Sequence, residues 1–436
     1  MAEMIRSRQI SSQELMNAHL EQIQQINPSL NAVVELLKPN AAPVPGPLHG
    51  VPFSVKDSID VAGVKTTAGT LGRRHAAPAI HNATLVERLV QAGAVPIAKT
   101  NLPDLLFSFE TDNLIYGRTN NPYDVTRTPG GSSGGESALI AACGSPLGLG
   151  SDAAGSVRVP AAFCGITSIK PTSGRLPRTG HVPPAGGWIE ALWQIGPMAR
   201  YTEDLLLAMQ LLAHEDDADF ASPPVALLDP PAARNLRIAY FTDNGFAPCN
   251  LEIKAAVEEC ARFFSSEAMV VEECRPPGVA DAYELELTLL GADGADGIDQ
   301  YLQDTGSHQT HKLLNGFLDH MRPQRATVAQ FAKHWAQWDQ YRADLFRFFN
   351  RYDAILCPVY TQPALPHHAS LIEENFRGFS YTMAWNVAGA PAATVRCAEH
   401  NGLPINIQIV TKPWRDLLAL QLCHMIEDQF GGWKKP

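Results

Sequence analysis

The sequence lacks the features that would place it in several large protein classes. No stretch of its 436 residues approaches the roughly 20 consecutive apolar residues that a membrane span needs. The first residues, MAEMIRSRQISSQEL, contain no apolar run of a secretory leader. No CxxC pair occurs, and the 8 cysteines, from Cys143 to Cys423, follow no regular spacing. In a chain of this length they read as buried thiols in a reducing compartment, which predicts a cytoplasmic protein. Charge is sparse, at 18% of residues, and 45 Asp and Glu outnumber 34 Lys and Arg for a net charge of −11. That balance argues against nucleic acid or an anionic membrane surface as the main partner.

Apolar residues make up 45% of the chain, enough for a sizeable core, and disorder is excluded. Ser11-Ser12-Gln13-Glu14 reads as a capping box, with Leu15, Ala18, Ile23 and Ile26 at helical spacing until Pro28 is expected to stop the helix. Residues 38–47 (KPNAAPVPGP) read as a loop and 222–234 (SPPVALLDPPAAR) as a linker. Helices are predicted over 82–91, 136–142, 251–264, 329–349 and 415–429. Strands are predicted over 95–98, 236–241, 269–272, 354–357 and 405–410. Strands alternating with helices indicate an α/β architecture.

Three segments stand out chemically: GVPFSVKD from Gly50, PGGSSGG from Pro129, and GSDAAGSVRVP from Gly150. The middle one precedes a predicted helix and reads as an anion-binding turn, but it lacks the Gly-Lys-Ser/Thr ending of a P-loop. Gly130 to Gly134 matches G-x-S-x-G, yet the preceding NNPYDVTRTP is loop chemistry rather than the strand of a nucleophile elbow. No S-x-x-K and no HExxH occurs, and the pairs His308/His311 and His367/His368 lack companion ligands for a metal.

Together, GPLHGVPFSVKD, PGGSSGGESALIA and GLGSDAAGSVRVPAAFCGI resemble the amidase signature family, and the similarity runs through KTNLPDLLFSFETDN, GPMAR and LCPVYTQPALPH over essentially the whole chain. Residues 99–135 are especially similar to fatty acid amide hydrolases and to aryl or carbamate amidases. The resemblance implies one α/β/α domain over 1–436, with a mixed, mainly parallel twisted sheet covered by helices on both faces and a helical excursion at about 275–350. It implies Ser156 as nucleophile, Ser132 as a bridging serine after a cis bond from Gly131, and Lys56 as base. The amides of Ala153, Ala154, Gly155 and Ser156 would face the substrate oxygen, and Leu106 would line the acyl pocket, with Phe107, Trp188 and Trp193 as further candidates. Asp152 and Arg158 would hold the loop by buried hydrogen bonds.

The physics of that assignment stands beside it. A serine hydroxyl needs an adjacent base. A lysine is a base only when neutral, so its pKa must fall from about 10.4 towards ~7–8, which requires an enclosed pocket. The expected activity is a cofactor-independent hydrolysis of apolar aryl or alkyl amides, with carbamates and esters in reach, through an acyl-enzyme without a metal. The chain would work as a monomer or homodimer on a small molecule. The alternative is the catalytic subunit of a tRNA-dependent amidotransferase, a role for which the acidic composition offers no basic stripe.

Overall fold

The computed structural model describes residues 1–38, 43–184 and 186–436. The expected loop at 38–47 therefore falls partly outside the described residues. Among the described residues eleven strands form one sheet: β1 (Val33–Leu36), β2 (Pro52–Lys56), β3 (Val95–Thr100), β4 (Leu147–Asp152), β5 (Thr167–Lys170), β6 (Gln194–Ala199), β7 (Arg237–Tyr240), β8 (Val270–Glu273), β9 (Ala354–Pro358), β10 (Ala392–His400) and β11 (Leu403–Thr411). Their spatial order is β1-β3-β2-β4-β6-β5-β10-β11-β9-β7-β8. Every residue of β2, β4, β6, β9 and β11 is buried, which is the pattern of a sheet covered on both faces.

The α/β class and the mixed sheet agree with expectation, but the balance of pairings does not. Among the described residues four strand pairs are parallel, β2–β3, β2–β4, β7–β8 and β7–β9. Six are antiparallel and occupy most of the centre. The reason is local. Parallel pairs need a crossover, and helices Thr84–Gln91 and Leu251–Ser266 supply one in each wing. The centre instead contains a tight hairpin: Asn401-Gly402, both at positive φ, joins β10 to β11 with His400 opposite Leu403.

Most predicted elements are present within a few residues, including helix Val328–Phe348 and the closing helix Asp416–Phe430. The capping box at Ser11 forms in both directions, with Ser11 Oγ accepting from the Glu14 amide at 3.1 Å and Glu14 accepting from the Ser11 amide at 2.8 Å. Pro28, however, lies inside helix Ser12–Leu30 rather than ending it. So near a helix end, proline removes a single hydrogen bond. The chain turns instead at Asn31, in the left-handed region at φ 50°, while Asn27 Oδ1 accepts from the amides of Ala32 and Val33.

Helices Ala282–Leu290, Asp296–Asp304 and Lys312–Met321 lie between β8 and β9 in the chain, and the first packs against helices Lys312–Met321, Val328–Phe348 and Ser380–Ala388. Among the described residues no helix is long and apolar enough to cross a membrane.

Helix Gly134–Ala141 sits close on the sheet because its first two residues have no side chain. A Cβ on Gly135 would lie 2.5 Å from both N and O of Asn101 and 2.8 Å from the Ala32 oxygen, all of them backbone atoms that cannot swing away. Gly135→Ala is therefore expected to lower stability by about 1–3 kcal/mol, read as a reduced urea midpoint.

Candidate active site

Three chain segments converge at the C-terminal ends of β2 and β4. Lys56 is the last residue of β2 and is fully buried. Its Nζ donates to Ser132 Oγ at 2.7 Å and to Ser151 Oγ at 3.2 Å. Ser132 sits in the turn before helix Gly134–Ala141, where the Gly131–Ser132 peptide bond is cis. The flanking glycines let this turn pack tightly. Gly130 has φ +84°, and a Cβ on Gly131 would lie 2.6–2.8 Å from the Glu110 backbone.

The third segment follows β4 and is shaped by Asp152. This carboxylate accepts from the amides of Gly155 at 2.7 Å and Val157 at 3.1 Å, which curls the chain around it. Arg158 grips it with two parallel hydrogen bonds of 3.0 Å each, and Asn386 Nδ2 adds one of 2.9 Å. The guanidinium also donates to the Thr382 carbonyl at 2.9 Å. Both members of the ion pair have no exposed surface. Burial alone would raise the Asp152 pKa, but Arg158, Asn386 and Lys170 hold it well below the usual carboxylate range. The expected structural role of Asp152 and Arg158 is what this geometry describes.

Ser156 ends that curl at 8% exposure, and its hydroxyl makes no hydrogen bond to Ser132 among the described residues. Both serines nonetheless line one cavity, together with Leu106, Ala153 and Ala154. Its remaining walls are Phe107, Phe109, Trp193, Leu290 and Phe317, with the Ser108 residue as a further hydroxyl. Phe107 packs edge-on against Trp193 at 6.0 Å and Phe317 at 5.5 Å, so the walls brace one another.

Trp188 lies elsewhere than expected. It lines a neighbouring cavity of about 310 Å³ that shares Phe107, Trp193 and Leu290 with the first. The expected row of four donor amides also needs correction, because the Gly155 amide is taken by Asp152. The amides of Ala153, Ala154 and Ser156 have no acceptor among the described residues.

The electrostatics suit proton transfer. Burial pushes the Lys56 amine well below the ordinary lysine pKa, against the opposing pull of Asp152 and Glu136. Sequence reasoning missed Ser151, which accepts from the lysine, and Glu136, whose buried charge acts on it. The signal for Glu136 is an acid alone among small and apolar residues in GGESALIA. Of the histidines, His311 and His368 converge on Asp112, at 3.6 and 3.1 Å. Among the described residues no group of three or more His, Cys, Asp or Glu side chains is placed to hold a metal ion.

Comparison with known proteins gives consistent results. The amidase family profile matches residues 14–420. The chain is 32% identical to a Glutamyl-tRNA(Gln) amidotransferase subunit of Thermus thermophilus, over 93% of this chain and 91% of that one. It is 30% identical to Fatty-acid amide hydrolase 1 of Sus scrofa, over 99% of this chain and 85% of that one. The structure of 6-aminohexanoate cyclic dimer hydrolase superposes with a TM-score of 0.86 at 27% identity, covering 98% of this chain and 95% of that one.

Asp152 has a depressed folded-state pKa, so its contribution to stability is full above the unfolded value of about 3.9 and is lost as pH falls below it. Asp152→Asn leaves Arg158 buried without its counter-ion. We expect a loss of about 3–5 kcal/mol at neutral pH and a flatter decline in stability below about pH 4, measured by urea unfolding across pH.

Proposed function

Since the chain belongs to the amidase family and is an enzyme acting on amide C–N bonds, we propose that it hydrolyses amides of apolar aryl or alkyl acids through an acyl-enzyme on Ser156. The observation that carries this reading is the fully buried Lys56 amine 2.7 Å from Ser132, whose hydroxyl shares an apolar cavity with that of Ser156.

In the proposed cycle Ser156 Oγ attacks the carbonyl carbon, its proton passes to Ser132, and the Ser132 proton passes to the neutral amine of Lys56. Closing the Ser156–Ser132 step requires the two hydroxyls to come within hydrogen-bond reach, and such contacts commonly tighten when substrate binds. The negative oxygen of the tetrahedral intermediate is received by the free amides of Ala153, Ala154 and Ser156. Each donor of this kind is worth about 10²–10³ in rate. The proton then returns through Ser132 to the leaving nitrogen, the C–N bond breaks, and water repeats the sequence on the acyl-enzyme. Carbamates and esters fit the same chemistry, because the acyl carbon is attacked identically.

A second reading is the catalytic subunit of a tRNA-dependent amidotransferase, favoured by the 32% identity to the Thermus thermophilus protein. Glutamine carries an ammonium and a carboxylate that need charged or strongly polar partners. The cavity beside Ser156 offers them only hydroxyls, from Ser108 and Ser132, among aromatic and aliphatic walls. The apolar substrate is therefore preferred, with the chain acting alone or as a homodimer on a small molecule. Isolation from the native cell separates the two readings, since an amidotransferase component would travel with different polypeptides.

The decisive measurement is hydrolysis of an alkanoyl or benzoyl anilide beside hydrolysis of glutamine. We expect turnover of the anilide, little of glutamine, and a loss of at least about 10³-fold in Ser156→Ala. Equal anilide hydrolysis by the variant and the unaltered enzyme would sink the assignment.

A further inference from the structure

We propose that Glu136 is a positioning residue for Lys56, a carboxyl built into the floor of the site that sets the pH at which the amine becomes available as a base. This inference rests on the reading of Lys56 as the base and goes beyond it.

Glu136 is the third residue of helix Gly134–Ala141 and is completely buried. Its side chain is held between β2 and β3 by their hydroxyls. Oε2 accepts from Thr100 Oγ1 at 2.7 Å, and Oε1 accepts from Ser54 Oγ. These two donors flank Lys56: Ser54 precedes it by two residues on the same face of β2, and Thr100 is its cross-strand partner on β3. The third strand makes room. Gly148 on β4 is the cross-strand partner of Ser54, and a Cβ there would lie 1.8 Å from Glu136 Oε1. Three strands thus give up hydroxyls and space to hold one buried carboxyl under the strand that carries the amine, near enough for its charge to act on Lys56 without a direct hydrogen bond among the described residues.

The surrounding charges leave Lys56 as its counterpart. On β4, Asp152 is committed to Arg158 of the following helix. On β3, Lys99 pairs instead with Asp57. No side chain of β6 is titratable. His19, from helix Ser12–Leu30, contacts the Gly144 carbonyl, and Arg200 the Ile140 and Ser145 carbonyls, all at the far end of the Glu136 helix. His181, beside Ser58, is kept neutral by burial.

Burial raises the Glu136 carboxyl to about 7, against the hydrogen bonds of Ser54 and Thr100 and the pull of Lys56. The carboxyl thus changes charge in the range where a lysine base must lose its proton. An anionic Glu136 stabilises the ammonium form of Lys56, and a neutral one favours the amine. A permanently neutral group at this position should make the amine a base at lower pH.

The test reads the rate at which phenylmethylsulfonyl fluoride modifies the full-length enzyme from pH 5 to 10 (a range of roughly the span over which such groups titrate). In that reaction the Ser156 Oγ–S bond forms, the S–F bond breaks with departure of fluoride, and the serine proton passes to Lys56. We expect the acid limb of the rate profile to move down by about one pH unit or more in Glu136→Gln. A limb that stays in place, whatever happens to the maximal rate, overturns the proposal and leaves Glu136 a packing residue. If Glu136→Gln fails to fold, Thr100→Val removes a donor that favours the anion and should move the limb the same way by less. An unmoved limb there also overturns the proposal. Undiminished modification in Ser156→Ala, by contrast, would overturn the reading of the nucleophile itself and take this inference with it.

Discussion

A lysine amine at the closed end of a buried strand is the constraint around which this molecule is arranged. Removing an ammonium from water is so costly that burial itself drives the group towards its neutral, basic form. The enclosure comes from the sheet. β2 lies between β3 and β4, with helix Gly134–Ala141 across its face, so Lys56 meets protein on every side. Its hydrogen-bonding needs are met by the hydroxyls of Ser132 and Ser151. Hydroxyls satisfy an amine without fixing its charge, whereas a directly bonded carboxylate would hold it as an ammonium.

The ion pair of Asp152 and Arg158 performs a different task. Placed one residue beyond Ser151 and four before Ser156, the Asp152 carboxylate organises the chain between them by accepting backbone amides. The Gly155 amide is taken by this carboxylate, whereas those of Ala153, Ala154 and Ser156 have no acceptor among the described residues. Gly155 itself is required by geometry. At φ +129° it lies in a region L side chains avoid, and a Cβ would meet Thr382 Oγ1 at 2.3 Å. Thr382, Asn386 and Gln408 then tie this loop to the C-terminal third of the chain.

The parts legible in the sequence are those with local physical signatures. The helix start at the Ser11 capping box, apolar strands between turns, and glycine-rich segments were readable, and the resemblance brought Lys56, Ser132 and Ser156 forward. The strands β2, β4, β5 and β6 went unread because they are short and buried throughout, so no alternation marks them. The hairpin at Asn401-Gly402 carried a readable turn signal that the single apolar run at 405–410 obscured. Glu136 went unnoticed for a further reason: its partners, Ser54, Thr100 and Gly148, are individually unremarkable residues that only the pairing of three strands brings together.

The walls of the cavity follow the same logic and explain why shared chemistry does not imply a shared substrate. Leu106, Phe107 and Phe109 come from the loop after β3, Trp193 from the approach to β6, and Leu290 and Phe317 from helices between β8 and β9. None belongs to the segments that place the serines and the lysine. Lys56 and the two serines are held by the sheet and its glycine turns, whereas these walls come from loops and helices outside the sheet. Relatives at 27–32% identity can thus share one fold while their names point to a tRNA-linked reaction, a fatty-acid amide and a cyclic dimer. The aromatic edge contacts join Phe107 to Trp193 and to Phe317, and because Phe107 and Trp193 line both cavities that meet there, replacing either of these two rings changes the wall of both.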